Sequence, residues 1–480
     1  MTVEIRKRVP VVADVDVLVA GGGIAGSTAA LTAARDGARA MIIERFGCLG
    51  GNMGPGMWGG GVLYLALGYP MAMLGGLKGI PGEFIDRCQG YADGQLGRDH
   101  DYFKDSQVVS YVWSRLMQEN GVRIMLNAFA GDPIMEGTRV AGLIVESRSG
   151  TQAIRAKTII DATGDADVAA RAGAPVDQGQ QYAHPGMYFA VGNVDDDKYL
   201  SFLKDARAPS LKDLTWLADA FQQLVDPQMS SAEWVEWIEK VPSLYKLVTL
   251  IRKAWEIGEY RFIKRIGDSA SVYVDHGLFV PKGGILGAMV GAFGSQASSD
   301  NAILMSELEL EARIYIFETA RFLRHHVPGF ENSHLHMIAP YFHCRGGRSI
   351  VSEYRLTMDD VREGRRFDDV VFVAYERRSM RTEPDVRVEE GNDFPFRQLL
   401  PQGVEGLLVA GRAAVIQPPC MRDRWKVFLM GQAAGVAAAI SSRDNHAPRA
   451  IDVKQLQRQL YHKYHAPLGT IQRIQELGLS

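Results

Sequence analysis

Gly21, Gly23 and Gly26 stand in the run Gly21-Gly22-Gly23-Ile24-Ala25-Gly26, and the acid Glu44 follows roughly twenty residues later. In such a run the first glycine permits a tight turn and the second lets the backbone approach a pyrophosphate. The third lets a helix sit close against a strand, and the distant acid is placed to bind ribose hydroxyls. A second group of reactive types stands in Tyr341-Phe342-His343-Cys344-Arg345-Gly346-Gly347-Arg348. Arg345 and Arg348 offer planar forks of donors that never deprotonate, suited to a carboxylate or carbonyl. His343 beside them could take a hydroxyl proton. Against this, the arginines could equally hold the loop by salt bridges, and a lone histidine is more often structural. Tyr375 and His184 are weaker candidates of the same kind.

The elements that must position the glycines are legible. Asp16-Val17-Leu18-Val19-Ala20 reads as a buried strand, 27–36 as an alanine-rich helix, and 38–43 as a second strand ending in Glu44. The helix start would meet phosphates with its unpaired N–H groups and positive dipole end. Glu44 argues against an NADP 2′-phosphate but does not separate NAD from FAD. Gly283-Gly284-Ile285-Leu286-Gly287 imitates a second nucleotide turn, yet no acid follows suitably, and Pro281 and Lys282 fit a turn between strands. The spacing over 211–223, 232–257 and 301–324 predicts helices whose Trp, Phe and Leu positions are core.

With 480 residues, 46% hydrophobic and 23% charged, the chain is long enough for two domains or one with a large insertion. A net charge of −3 without a basic tail excludes the footprint of a nucleic-acid binder. Residues 1–12 lead into the glycine turn without a cleavable site, so no export signal is expected. The stretch 53–77 holds Pro55, Pro70 and many glycines and is expected to be a ligand-packed loop rather than a membrane span. Cys48, Cys88, Cys344 and Cys420 are too scattered for a disulfide framework, zinc site or dithiol, which fits a reducing cytoplasm. His325-His326 and His334-x-His336 lack carboxylate or cysteine partners at a matching interval, so no metal is expected.

Three further segments carry a resemblance: Glu44-Arg45-Phe46-Gly47-Cys48-Leu49-Gly50-Gly51-Asn52, the run Ile160-Asp161-Ala162-Thr163-Gly164-Asp165, and Gly406-Leu407-Leu408-Val409-Ala410-Gly411-Arg412 followed by Gly431-Gln432-Ala433-Ala434-Gly435. With these the sequence resembles, over nearly its whole length, the glutathione-reductase-like FAD-dependent oxidoreductases, in the branch related to fumarate reductase flavoproteins. The resemblance implies FAD, held by Gly21, Gly23, Ile24, Ala25 and Gly26 and by Glu44, Arg45, Cys48, Gly50, Gly51 and Asn52. It adds Ala128, then Ala162, Thr163, Gly164 and Asp165 from the other side. Gly411, Arg412 and the Gly431, Gln432, Ala433, Ala434 helix would face the flavin, where a helix N-terminus stabilises the reduced, anionic ring.

The chain departs from the family where chemistry is expected. Arg345, Arg348, Ile350, Glu353 and Tyr354 match a family stretch beside the flavin, but Gly346-Gly347 replace Glu-Ser and Ser349 replaces an arginine. Tyr375-Glu376-Arg377-Arg378 stands where the family has a histidine stretch. Arg422 falls where the family carries an arginine, whereas Arg424 and Trp425 do not follow the pattern. Cys48 and Cys420 could attach a flavin covalently, but buried thiols are the plainer reading, so non-covalent FAD is expected.

The expected fold is α/β: a discontinuous Rossmann-like FAD domain (1–175 and 396–445), an inserted mixed α/β substrate domain (176–395) and a C-terminal helical tail (446–480). The tail could dock on the core or on a partner copy, leaving a homo-oligomer open. The expected reaction is hydride transfer between flavin N5 and a carbon of a small organic substrate, alcohol to ketone or saturated bond to alkene. Oxygen or a redox partner would accept the electrons. A monooxygenase fed by external NAD(P)H, an electron relay and a non-redox flavoprotein are the alternatives.

Overall fold

The computed structural model describes residues 7–56, 78–91, 104–178, 185–266, 270–275, 283–293, 299–344, 347–374, 391–415 and 424–479. They form two compact units, one built from the chain up to 178 and from 348 onward, the other from 179–347. The insertion is therefore shorter than the expected 176–395, and strand pairing is the reason. Arg348–Ile350 returns to lie antiparallel to Val176–Gln178, and Val370–Ala374 pairs with Asn392–Pro395. Val370, Phe372 and Phe394 then join the first unit's core, as do Leu456, Leu460 and Leu468 of the tail.

In the first unit, β1 (Val11–Ala20), β2 (Ala40–Glu44), β3 (Arg123–Leu126), β4 (Phe129–Glu136), β5 (Arg139–Ser147) and β6 (Gly150–Asp161) form a sheet of order β3-β2-β1-β6-β5-β4, with Leu407–Val409 also pairing β6. The pairings β3–β2, β2–β1, β1–β6 and β6 with Leu407–Val409 are parallel; β5 and β4 are antiparallel additions. This is a Rossmann-like sheet in an α/β unit. A central parallel strand is covered on both faces, which is why Val17, Leu18, Val19 and Ala20 run continuously apolar and are all buried. Helix α1 (Ile24–Arg35) follows β1 and is buried from Ile24 to Ala33. Its small side chains admit the long helix Arg424–Asp444 at close range. A Cβ on Gly431 would overlap the Ala25 carbonyl oxygen, and one on Gly435 would overlap that of Ala29.

The second unit is a five-stranded sheet, antiparallel throughout, in the order His334–Ile338, Gly186–Gly192, Leu286–Phe293, Ala270–Asp275, Ile263–Ile266. Its helices include Leu211–Leu224 and Ala302–His326. The predicted helix over 232–257 is two, Ser231–Glu239 and Pro242–Glu256, because Pro242 cannot continue a helix but can start one. Ser230 with Glu233 forms a capping box at the first of them. Among the described residues no helix is long and apolar enough to cross a membrane.

Candidate cofactor site

The glycine turn is built at the carboxyl end of β1. Gly21 has φ 100°, a conformation a side chain would strain, and its N–H donates to the Ile43 carbonyl at 2.9 Å. The start of α1 has no side-chain cap, so the N–H groups of its first turn are left for another acceptor. A Cβ on Gly23 would meet nothing nearer than the Gly51 Cα at 3.9 Å, so the turn is open there. Elsewhere it is tight: a Cβ on Gly26 would overlap the Gly21 carbonyl oxygen.

Glu44 lies beside this turn. One carboxylate oxygen accepts the Gly22 N–H at 2.5 Å and the other the Phe46 N–H at 2.9 Å. Burial pushes this carboxyl above the usual range, opposed by those two N–H groups. The Ala128 N–H donates to the Glu44 carbonyl at 3.0 Å, and the Gly50 N–H to that of Gly22 at 2.8 Å. Gly51 stacks so closely on Gly23 that a Cβ would fall 2.8 Å from the Gly23 Cα. Asn52 continues the short 3-10 turn Gly51–Met53. Arg45 lays its guanidinium 4.7 Å from the centre of the Phe46 ring. The half-buried Cys48 thiol is pushed up by burial, which lowers its thiolate fraction.

The turn after β6 lies alongside. Ala162 donates to the Ala20 carbonyl at 2.8 Å, fixing the two strand ends together. Asp161, fully buried, accepts from the Thr163 N–H and hydroxyl and from the N–H groups of Val168 and Ala169. Burial raises its carboxyl, and those donors oppose the shift. Sequence reading placed Asp161 in the motif without giving it a part; the signal was an acid closing the apolar strand end Ile159-Ile160. Arg412 reaches the turn from the segment after Leu407–Val409, donating to the Gly164 carbonyl at 2.8 Å and pairing with Asp165 at 2.5 Å. Gly411, at φ 90°, passes over α1 beside Ala25. The three motif segments are thus brought together around the start of α1.

Gly431, Gln432, Ala433 and Ala434 belong to the long helix that packs on α1. They lie two turns into Arg424–Asp444, where Gly431 serves the approach to α1 and Ala433 and Ala434 are buried core. Gln432 accepts weakly from the Ile80 N–H at 3.4 Å, and its buried side-chain nitrogen has no partner among the described residues.

The sequence model of the FAD dependent oxidoreductases matches residues 16–460. The chain belongs to the FAD-dependent oxidoreductase family. Its cofactor is FAD. Thiamine thiazole synthase of Methanococcus maripaludis is 30% identical over 162 residues, 32% of this chain and 57% of that one. The chain thus spans little more than half the length of the curated relatives it matches. Among solved structures, a geranylgeranyl bacteriochlorophyll reductase-like protein of Thermoplasma acidophilum aligns at TM-score 0.43 and 15% identity, over 94% of this chain and 84% of that one. The p-nitrophenol 4-monooxygenase of Pseudomonas putida aligns at TM-score 0.40 and 14% identity, over 95% and 88%.

The residues of this FAD-dependent oxidoreductase fit the group: an open glycine turn, an uncapped helix start and an acid beside both. Of the candidate catalytic residues, Arg348 and His343 are described. Arg348 donates to the Asp165 carbonyl at 3.0 Å and pairs with Asp167, so this edge of its guanidinium holds the turn rather than facing outward. His343 belongs to the second unit, where its backbone bridges Gly186 and its buried ring stacks 5.5 Å from Tyr188. Arg345, Tyr375 and Arg422 lie outside the described residues, as do His184 and Cys420. Arg424 begins the described part of its helix, and Trp425 and Lys426 behind it are buried, the ammonium 5.3 Å from the indole centre. The false nucleotide turn at Gly283-Gly284 belongs to the sheet: Gly284 donates to the Asp196 carboxylate and accepts from the Val194 N–H.

Proposed function

We propose that this enzyme moves a hydride between flavin and a carbon of a small organic substrate. The observation that carries the reading is the uncapped start of α1 set beside Glu44 and the open Gly23. That arrangement suits a dinucleotide pyrophosphate on the helix N–H groups and ribose hydroxyls on Glu44. Ala162, Thr163 and Gly164 complete the wall, held in place by Asp161, Arg412 and Arg348. The bound flavin supplies two-electron redox chemistry.

Substrate recognition is assigned to residues other than those that form this cradle. Arg345 and Arg422 are assigned to substrate oxygens, because a guanidinium stays charged and offers paired donors. Tyr375 is assigned the proton in preference to His343, whose ring is enclosed in the second unit's sheet. Non-covalent attachment is part of this reading. The alternative monooxygenase reading differs in needing an external reductant.

The test is the flavin absorbance under nitrogen while cyclic alcohols, sugars, hydroxy acids and amines are added singly. Bleaching by one of them establishes hydride transfer and names the substrate class. If no compound bleaches the band, yet NAD(P)H oxidation is stimulated by one of them in air, hydride transfer from substrate is wrong and oxygenation takes its place.

A further inference from the structure

The helix Ala302–His326 buries one face, with Leu308, Ala312, Tyr315, Ile316, Thr319, Phe322 and Leu323, in the second unit. Its opposite face should then be polar. Instead it carries Ile303, Leu310, Ile314 and Phe317, exposed at 77%, 61%, 42% and 62%. Their spacing of seven, four and three residues sets them in one stripe. Single exposed apolar residues need no explanation, but a contiguous row along one helix marks an interaction surface.

The charges on the stripe say what covers it. Glu307 stands toward the amino end and Arg321 toward the carboxyl end; both are exposed, and neither has an ion-pair partner among the described residues. The flanking charges are already engaged, Glu309 with Arg313, and Glu311 and Glu318 with Lys264. In a parallel pair of such helices Glu307 would face Glu307 and Arg321 would face Arg321. In an antiparallel pair centred on Ile314 the pattern becomes self-complementary, since 307 and 321 are equally distant from 314. With a rise of about 1.5 Å per residue, Glu307 of one copy then lies level with Arg321 of the other. Leu310 of one copy falls within about 1.5 Å along the axis of Phe317 of the other. Ile314 meets itself on the two-fold axis, as an isologous contact requires.

We propose that the second unit carries a homodimer interface, formed by antiparallel pairing of the Ala302–His326 helices of two copies through Ile303, Leu310, Ile314 and Phe317, with Glu307–Arg321 pairs at both ends. A single helix pair buries less than the roughly 1,200–2,000 Å² of a tight complex, which sets the expected dissociation constant in the micromolar range.

Sedimentation of the full-length, flavin-loaded enzyme from about 1 to 100 μM reads this directly, as a range bracketing a micromolar constant. The expected result is a monomer–dimer equilibrium that Leu310→Glu shifts to monomer. Glu307→Arg and Arg321→Glu each weaken it about tenfold, since each removes two pairs and creates two repulsions. The double exchange restores it. Both charge positions are exposed, and an unchanged flavin spectrum confirms that each variant is folded, so these two carry the test even if Leu310→Glu does not fold. A monomer throughout the range overturns the proposal. So does a dimer indifferent to the charge exchanges, which would place the contact on another face, or a double exchange that fails to recover.

Discussion

Two glycine-rich runs, Gly21 to Gly26 in the first unit and Gly283 to Gly287 in the second, look alike in sequence and fold into different devices. Both use glycine at positive φ, 100° at Gly21 and 61° and 76° at Gly283 and Gly284. The first is followed by a helix whose opening N–H groups have no side-chain cap. The second is followed by Leu286–Phe293, a strand antiparallel to Gly186–Gly192, and the Gly284 N–H is taken by Asp196. Glycine spacing therefore supplies a turn but not an anion site. What makes the anion site is the element behind the turn and donors left for a ligand.

The largest effect expected from this contrast is at Gly26. A methyl group there overlaps the Gly21 carbonyl oxygen, backbone that cannot yield without moving α1 off the sheet. Gly26→Ala is expected to cost about 3 kcal/mol, typical of forced overpacking, and to abolish flavin retention. Thermal melting and the flavin content of the purified variant check both; a variant that keeps its flavin removes the close approach of α1 from the account.

Next comes Asp161, which ties the β6 turn into the same cradle. Asp161→Ala strands the buried N–H groups of Val168 and Ala169 and loses the anchor of Thr163. A loss of about 2 kcal/mol is expected, with weaker flavin binding as the turn loosens. Chemical denaturation would show it, and a loss below about 0.5 kcal/mol, the size of a neutral surface change, would contradict the buried hydrogen-bond count.

These two sites also show what was legible beforehand. The β1–α1 turn and Glu44 could be read because local sequence alone sets their form: apolar run, glycine spacing, small-residue helix. The insertion's far boundary could not, because Arg348–Ile350 and Val370–Ala374 join the first unit through pairings distant in sequence. The close packing at Gly431 is not legible for a related reason. Its glycine answers to a neighbouring helix, α1, and a sequence pattern does not say whether a glycine marks a helix start or a close helix contact. Arg348 carried two equal readings that only its partners, Asp165 and Asp167, could separate.

Glu44 sharpens the comparison in chemical terms: it takes the Gly22 N–H as Asp196 takes that of Gly284, but it lies beside a helix start left open for a ligand. Glu44→Gln is expected to weaken FAD binding by roughly ten- to a hundredfold, the loss of a charge-assisted hydrogen bond to ribose. The pH dependence has a definite sign. Burial raises the folded-state carboxyl above its unfolded value, so the fold holds this proton more tightly than the unfolded chain does. The stability linked to Glu44 is thus full below the unfolded carboxylate range and declines as pH rises through the raised folded value. Melting of the flavin-free protein from pH 4 to 8 should show wild type losing ground to Glu44→Gln as pH rises. A difference that is flat, or of opposite slope, would contradict burial as the dominant influence on this group.

The smallest effect belongs to the imitation. Gly284 sits at φ 76°, and an added Cβ would come to 3.5 Å from the Val194 carbonyl oxygen, ordinary contact distance. Gly284→Ala therefore meets no obstruction and bears only the left-handed backbone strain, about 1–2 kcal/mol. Its N–H still reaches Asp196, so the join between Leu286–Phe293 and Asp196–Asp205 should persist. The decisive readout is flavin: affinity should equal wild type within about twofold, about 0.4 kcal/mol as RT ln 2, because none of the hydrogen bonds described for the cradle involves Gly284. If the variant instead loses flavin as Gly26→Ala does, the second glycine turn contributes to the cofactor site. The distinction between a turn that ends in an open helix start and one closed by Asp196 would then have to be abandoned.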